Sequence, residues 1–175
     1  MTWKFRERVE LFKGMIAKMS PAPNKRHQVV SMFLSTEINL FLKGSSCSVF
    51  AAPFDVRLPV SLKEGRSDTV VQPDITVICD TAKLDEQGCN GAPDIVVEIL
   101  SPSNSKRELK DKFDLYEASL IPEYWIVDPN QRDIVIYTLN DELHYVGSRP
   151  YVAGALMTSE VLGGLEIDVA EVFQD

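Results

Sequence analysis

The chain has 175 residues, 45% of them apolar and 25% charged, an ordinary globular composition that excludes a disordered polar protein. That length predicts one domain over residues 1–175, able to bury about two thirds of its unfolded surface without disulfides or a structural metal. With 18 basic and 26 acidic residues the net charge is −8, so any contact with nucleic acid or membrane needs a local basic patch rather than bulk charge.

The opening MTWKFRERVELFK is charged from the start and does not read as a signal peptide. No apolar run approaches 18 residues, so no membrane-spanning segment is expected and the chain reads as soluble and cytoplasmic. Val9 to Met19, with Lys13-Gly14 between two apolar stretches, predicts a hairpin. SPAPN at 20–24 predicts a loop, since its prolines cannot continue a ladder or a helix.

From about Arg26 to Lys43 the period becomes helical. Val30, Phe33, Leu34, Glu37 and Phe41 fall on one face, with Glu37 in the middle of the apolar stripe, and Gly44 stops the helix. VFAAPFDVRLPV at 49–60 alternates like a half-buried strand, SLKEGRSDT follows as a polar loop, and VVQPDITVIC at 70–79 predicts a second strand. TAKLDEQGCNG connects to a third, GAPDIVVEIL at 91–100, whose near-continuous β-branched run suits a central strand covered on both faces.

A helix over 103–120 comes next, with Ser105 and Glu108 as a capping box and Leu109, Phe113, Tyr116 and Leu120 as its inner stripe. EYWIVD at 123–128 and DIVIYTL at 133–139 predict two more strands about the Pro129-Asn130 turn. The tail from Tyr151 predicts short strands and turns, with GLEIDVAEVF closing an edge. The order describes an α/β sandwich with a mixed sheet.

Cysteines 47, 79 and 89 are scattered and form no CxxC pair, so reduced, semi-buried thiols are expected. With only His27 and His144 as histidines, a metal would be held mainly by oxygen. Glu98 stands inside the apolar third strand, where a carboxylate is costly unless it meets a cation, a donor or a metal.

Two Pro-Asp pairs offer it a partner, Asp74 and Asp94. Asp94 is four residues from Glu98, about 13 Å along a strand, too far for ligands that must each lie within about 2–2.5 Å of one ion. Asp74 opens the neighbouring strand, and strands lie about 4.8 Å apart, so a cross-strand Asp74–Glu98 pair is feasible. Asp94 reads instead as a polar strand-start residue. Lys112 sits beside the inner stripe of the second helix and can carry its ammonium to the strand end; the alternative is a surface pair with Glu108. Glu37 could aim at the same site or simply meet a donor.

Here the residues carry a resemblance. RHQ at 26–28, FDVRLP at 54–59, QPDI at 72–75, GAPDIVVEILSPS at 91–103, the Lys112-x3-Tyr116 spacing and EYWIVDP at 123–129 resemble the Uma-type family of restriction endonucleases, within the PD-(D/E)XK nuclease superfamily. The resemblance spans about residues 8–172. It implies a restriction-endonuclease-like αβββαβ core: a mixed central sheet flanked by helices, with an N-terminal hairpin and C-terminal short strands. It further implies a DNA endonuclease dependent on Mg²⁺ or Mn²⁺, with Asp74 and Glu98 as metal ligands. Leu100 occupies the superfamily's E-x-K lysine position, and Lys112 is the natural substitute.

The chemistry suits those residue types. Mg²⁺ takes hard oxygen ligands, here two carboxylates and the nearby Ile99 carbonyl, and lysine can orient water and stabilise developing charge. Glu37 could hold a second water or metal, and Asp55 is a weaker supporting candidate. Lys25, Arg26, Lys63, Arg66, Lys106, Arg107 and Lys110 supply local positive charge for weak DNA contacts, and a homodimer would suit double-strand cleavage. Two other readings stand beside this one: an inactive dimeric binding or structural module of the same fold, and a phosphohydrolase of small nucleotides.

Overall fold

Prolines 53 and 73 decide how the strands are shared between two sheets. The computed structural model describes residues 9–12, 15–18, 24–58, 69–102 and 106–174. The Lys13-Gly14 turn, residues 20–23, Lys63, Arg66 and the Ser105 half of the capping box lie outside the described residues.

In chain order the elements are β1 (Val9–Phe12), β2 (Met15–Lys18), α1 (Lys25–Phe41), β3 (Ser48–Ala51), β4 (Val56–Leu58), β5 (Thr69–Val71) and β6 (Ile75–Ile78). A 3₁₀ turn over Thr81–Lys83 leads to β7 (Leu84–Asp85), β8 (Gly88–Asn90), β9 (Ile95–Ile99), α2 (Lys106–Ala118), β10 (Glu123–Asp128) and β11 (Asp133–Leu139). Short elements end the chain: β12 (Tyr145–Gly147), β13 (Tyr151–Val152), β14 (Leu156–Thr158), β15 (Glu166–Asp168) and α3 (Val169–Val172).

Each of the first two predicted strands is in fact two. The stretch 49–60 breaks around Pro53 into β3 and β4, and 70–79 breaks at Pro73 into β5 and β6. Proline lacks the amide that a ladder requires, so both chains leave one sheet there and enter another. β3 and β6 join a seven-stranded sheet of order β12-β11-β10-β9-β6-β3, with β13 beside β11, while β4 and β5 join a second sheet, β2-β1-β5-β4-β8-β7. The predicted N-terminal hairpin forms, with Phe12 opposite Met15, and docks on the second sheet through Leu11 and Val70. The connection 81–91 supplies two strands of that sheet rather than a plain loop. Of the tail, β13 pairs with β11, whereas the GLEIDVAEVF segment does not close an edge of the central sheet, its β15 pairing with β14 instead.

The central sheet is mixed. β9 and β10 are parallel, whereas β6 runs antiparallel to β9 and β11 to β10. A parallel pair needs a crossover, and α2 provides it. Alternation along the strands then builds two cores. Ile75, Val77, Ile95, Val97 and Ile99 pack with Val30, Leu34 and Ile38 of α1 and with the C-terminal residues. On the other face Ile78 and Val96 pack with Leu115 and Tyr116 of α2 and with Val56, Leu58 and Val71 of the second sheet. A fully buried aliphatic or aromatic side chain of this kind contributes about 1.5–3 kcal/mol.

α1 starts one residue before the predicted boundary, because the Asn24 side chain accepts a hydrogen bond from the His27 amide at 2.9 Å. Its buried stripe is His27, Val30, Leu34 and Ile38, rotated from the predicted one: Phe41 is exposed and Glu37 only half-buried. α2 ends at Ala118, and Leu120, at φ 58°, is left-handed and exposed rather than part of the inner stripe.

Two features were unforeseen. Cys47 and Cys79, flanking the paired ends of β3 and β6, form a disulfide, so the expectation of three reduced thiols fails; Cys89 alone is free and is buried. Glu123, fully buried at the start of β10, accepts from the Trp125 indole and from the amides of Glu160 and Val161 at 2.9 and 3.2 Å, tying the C-terminal segment to the sheet.

Two measurements check these contacts. Thiol titration of the unfolded chain should count one reactive thiol without reductant and three with it; three in both conditions would remove the disulfide. Glu123→Ala strands the buried Trp125 indole and releases two part-buried amides, and should cost about 2–4 kcal/mol in urea unfolding. A loss under about 1 kcal/mol would show that this carboxylate is not what holds the tail.

Candidate active site

The site lies at one end of the central sheet and is assembled by β6, β9 and α2, with one contact from α1. β9 is buried at every position, and its Glu98 is only 7% exposed. Extending the observed register by one residue from Ile75–Val97 places Asp74 opposite Glu98, the cross-strand pairing expected from strand spacing.

A carboxylate so deeply placed must be compensated. α2 does this with two side chains one helical turn apart. Lys112 Nζ lies 2.8 and 2.9 Å from the two Glu98 oxygens, and the Tyr116 hydroxyl donates to Oε1 at 2.6 Å. Positions i and i+4 share a helix face, so the Lys112-x3-Tyr116 spacing brings an ammonium and a phenol to one carboxylate. The Lys112 side chain is 13% exposed, so this is a largely desolvated ion pair rather than a surface one.

Tyr116 packs edge-on against Tyr124, ring centroids 5.0 Å apart. Burial first, and then the charges headed by Glu98, hold the Tyr124 phenol well above its usual pKa. Its hydroxyl has no hydrogen-bond partner among the described residues.

Asp74 sits just before β6, where Pro73 has ended the preceding strand. Its Oδ2 accepts the Ile99 amide at 2.8 Å, and its Oδ1 lies 3.2 Å from Nε2 of His27. The amide and carbonyl of one strand residue face the same edge, so the Ile99 carbonyl faces the Asp74 side as well. The Leu100 amide turns the other way, to Val127 O at 2.8 Å. His27 is 7% exposed, and its Nδ1 has no hydrogen-bond partner among the described residues.

Of the residues picked out from sequence, Glu98 and Lys112 meet directly, and Asp74 stands opposite Glu98 in the strand register with its own side chain taken by the Ile99 amide and His27. Glu37 does not join them. It stands ten residues beyond His27, about 15 Å along α1, and no hydrogen bond or ion pair joins it to the site among the described residues. The cause is the rotated stripe: the buried face of α1 runs through His27, and Glu37 flanks it. Asp55 instead accepts from Gln72 Nε2 at 2.6 Å and from the Cys89 amide through its backbone oxygen, fastening β4 to its neighbours. Asp94 behaves as a strand-end residue, taking the Cys79 amide at 2.7 Å. Lys110 pairs with Asp114 and Arg107 with Asp111 on the solvent side of α2.

Sequence reasoning missed His27 and undervalued Tyr116. The signal for the first was a histidine in phase with Val30, Leu34 and Ile38; for the second, a tyrosine four residues after the proposed lysine.

Among the described residues no group of three or more His, Cys, Asp or Glu side chains converges as a metal cluster. The donor set that is present, two carboxylates opposite one another and one strand carbonyl, fits a hard cation that keeps much of its water, such as Mg²⁺.

A mixed sheet with α1 and α2 on opposite faces and paired carboxylates at its end defines a restriction-endonuclease-like fold. Residues 4–170 match the family described as "Uma2: Putative restriction endonuclease", and the chain belongs to that family. Over 138 residues it is 29% identical to the "Uncharacterized protein slr1290" of Synechocystis sp., a stretch covering 78% of this chain and 69% of that protein. It also resembles the crystal structure of a protein described as "a putative nuclease belonging to DUF820" from Anabaena variabilis. There the TM-score is 0.73 at 20% identity, over 98% of this chain and 93% of that one. Those matches bear out the fold and family expected from the motifs.

The ion pair makes a sharp prediction about stability. Lys112→Met removes the cation from the buried Glu98, leaving it the Tyr116 hydroxyl, and should cost about 3 kcal/mol in urea unfolding. Adding Glu98→Gln to it removes the stranded charge and should recover most of that loss. A single variant as stable as wild type would show that Lys112 is not the partner Glu98 requires.

Proposed function

We propose that this chain is a DNA endonuclease dependent on Mg²⁺ or Mn²⁺, hydrolysing phosphodiester bonds at the Asp74–Glu98–Lys112 centre. The observation that carries this reading is the placement of two carboxylates opposite each other at a strand end with a lysine ammonium against one of them.

Asp74, Glu98 and the Ile99 carbonyl would hold the metal. A bound divalent ion supplies Lewis-acid stabilisation of charge on the scissile phosphate and lowers the pKa of water. Lys112 orients the attacking water and faces the negative charge that grows at phosphorus, a preorganised role that needs no charge movement within the protein. Tyr116 fixes the Glu98 rotamer through its hydroxyl, and His27 and the Ile99 amide fix that of Asp74. Two copies of the chain, each bringing one such centre, would suit cleavage of both strands.

A second reading also has an observation behind it. Lys112 and Tyr116 already satisfy Glu98, as in a structural ion pair that has outlived catalysis. The chain would then be a binding module of the same fold.

Calorimetric titration separates the two. Mg²⁺ should bind at roughly millimolar strength, as expected for few protein ligands. Asp74→Asn and Glu98→Gln should each remove the binding, while Asp94→Asn leaves it. Plasmid DNA at low salt with Mg²⁺ or Mn²⁺ should be cut. Lys112→Met, with folding verified by circular dichroism, should slow cleavage about 10²–10³-fold while metal still binds. Metal binding without any cleavage by wild type would favour the module.

A further inference from the structure

The phenol of Tyr124 is a polar group that the resting site does not use. The side chain is fully buried, and its hydroxyl has no hydrogen-bond partner among the described residues. An unmet hydroxyl in a core is destabilising, and phenylalanine would fill the same space without it. The group therefore needs a partner in another arrangement of the site.

Its place in the sheet points to Glu98. Tyr124 pairs with Val96 across the parallel β9–β10 ladder, and both side chains lie in the core under α2. Glu98 is two residues beyond Val96 on that face, which makes it the diagonal neighbour of Tyr124. Strand spacing and rise put the two about 8 Å apart at the backbone, a gap that an aromatic side chain can cross. Thr76, opposite Val96 on β6, is the diagonal neighbour on the other side, and its hydroxyl is equally unmet. That hydroxyl stands on Cβ, too short for the same gap. Tyr124 also packs edge-on against Tyr116, with 5.0 Å between ring centroids, and the Tyr116 hydroxyl is already on Glu98 Oε1. After burial, the charge of Glu98 does most to raise the Tyr124 pKa and Asp74 adds to it, so the phenol stands in the field of both carboxylates.

In the resting protein Oε1 of Glu98 accepts from both Lys112 and Tyr116, at 2.8 and 2.6 Å. On the nuclease reading, on which this inference rests, Lys112 turns towards a phosphate and Oε1 loses a donor in a largely buried setting. We infer that the Tyr124 hydroxyl is the reserve donor for that oxygen: it bonds to Glu98 when Lys112 leaves, and so acts as a positioning residue that keeps the carboxylate aimed at the metal. Two phenols then hold Oε1 while Oε2 faces the cation. The penalty of an unmet hydroxyl in the resting state is relieved when Lys112 is away.

Thermal unfolding in EDTA tests this exchange without metal or DNA. Tyr124→Phe in the wild-type background should raise Tm by about 2–4 °C, because it removes an unmet group. In the Lys112→Met background the same change should lower Tm by a similar amount, because there the hydroxyl is bonded to Glu98. Such a reversal of sign is a coupling that side-chain packing alone does not produce. Tyr145→Phe is the control. Its hydroxyl donates to the Ile121 carbonyl at 2.9 Å, and its loss should lower Tm equally in both backgrounds. Where Lys112→Met does not fold, Lys112→Gln takes its place. With Mg²⁺ and plasmid DNA, Tyr124→Phe should lower kcat about tenfold with KM unchanged, and Tyr145→Phe should change neither.

The same shift from Tyr124→Phe in both backgrounds would overturn the inference. So would a loss in wild type matching that of Tyr145→Phe, which would show the hydroxyl already bonded to a buried water. Wild-type kcat in Tyr124→Phe would overturn its part in turnover. The two readings fail separately. Reversal of sign in a chain that never cuts DNA keeps the reserve donor and removes the nuclease. DNA cut by Tyr124→Phe at the wild-type rate, with no reversal, keeps the nuclease and removes the donor.

Discussion

A carboxylate near the end of a strand buried along its whole length is the constraint on which the rest of the site depends. Glu98 lies between Val97 and Ile99 in β9, both almost fully buried, and an ionised group there is tolerable only beside a cation and a donor. Because β9 and β10 are parallel, the chain must cross over between them, and α2 crosses on the face to which Glu98 points. One crossover thereby serves two ends. It covers the apolar residues of that face with Leu115 and Tyr116, and it brings Lys112 to the charge those residues could not accept. Tyr116 belongs to both tasks, its ring in the core and its hydroxyl on the carboxylate.

The second constraint comes from proline. Pro53 and Pro73 interrupt two neighbouring strands at similar heights, and the Ala52 amide still bonds to the Asp74 carbonyl at 2.9 Å. β6 therefore starts where β5 has left for the other sheet, and Asp74 stands at that branch point. Its side chain takes the Ile99 amide, the place that a strand carbonyl would otherwise fill. A polar residue follows Pro73 because the departing strand leaves a strand amide needing an acceptor.

The parts of the site that could be read from sequence are those fixed by distance along or across a strand. About 13 Å of separation removes Asp94 from Glu98, and about 4.8 Å between strands admits Asp74. The lysine was legible because helical offsets place Lys112 beside Phe113 and Tyr116. Other parts depend on rotations and pairings that periodicity does not fix. Phe33 and Phe41 pull an apparent stripe towards Glu37, whereas packing centres the real one on His27, Val30, Leu34 and Ile38. A buried histidine in that phase looks like any core residue until Asp74 is found against it. The Cys47–Cys79 bond spans 32 residues and becomes visible only with the β3–β6 register. The breaks at Pro53 and Pro73 were written in the sequence, yet alternation on both sides disguised four strands as two.

That the cation on Glu98 is a lysine bears on what the centre can do. An arginine would lock both carboxylate oxygens in a planar bidentate pair and would be held there by its geometry. Lysine presents a point charge on four rotatable methylenes, and its Nζ stands almost equally far from both oxygens. It can compensate Glu98 when nothing else does and still pivot towards a phosphate without moving α2, because Tyr116 keeps one oxygen hydrogen-bonded meanwhile. On the nuclease reading proposed above, the need to neutralise a buried charge in the resting protein and the need to place a positive charge beside a reacting phosphate would be met by one side chain. Its entry from the helix, with Leu100 in the strand position, suits this double use. A lysine two residues after Glu98 would start from the same strand and the same face, whereas Lys112 descends along α2 and meets the carboxylate end-on.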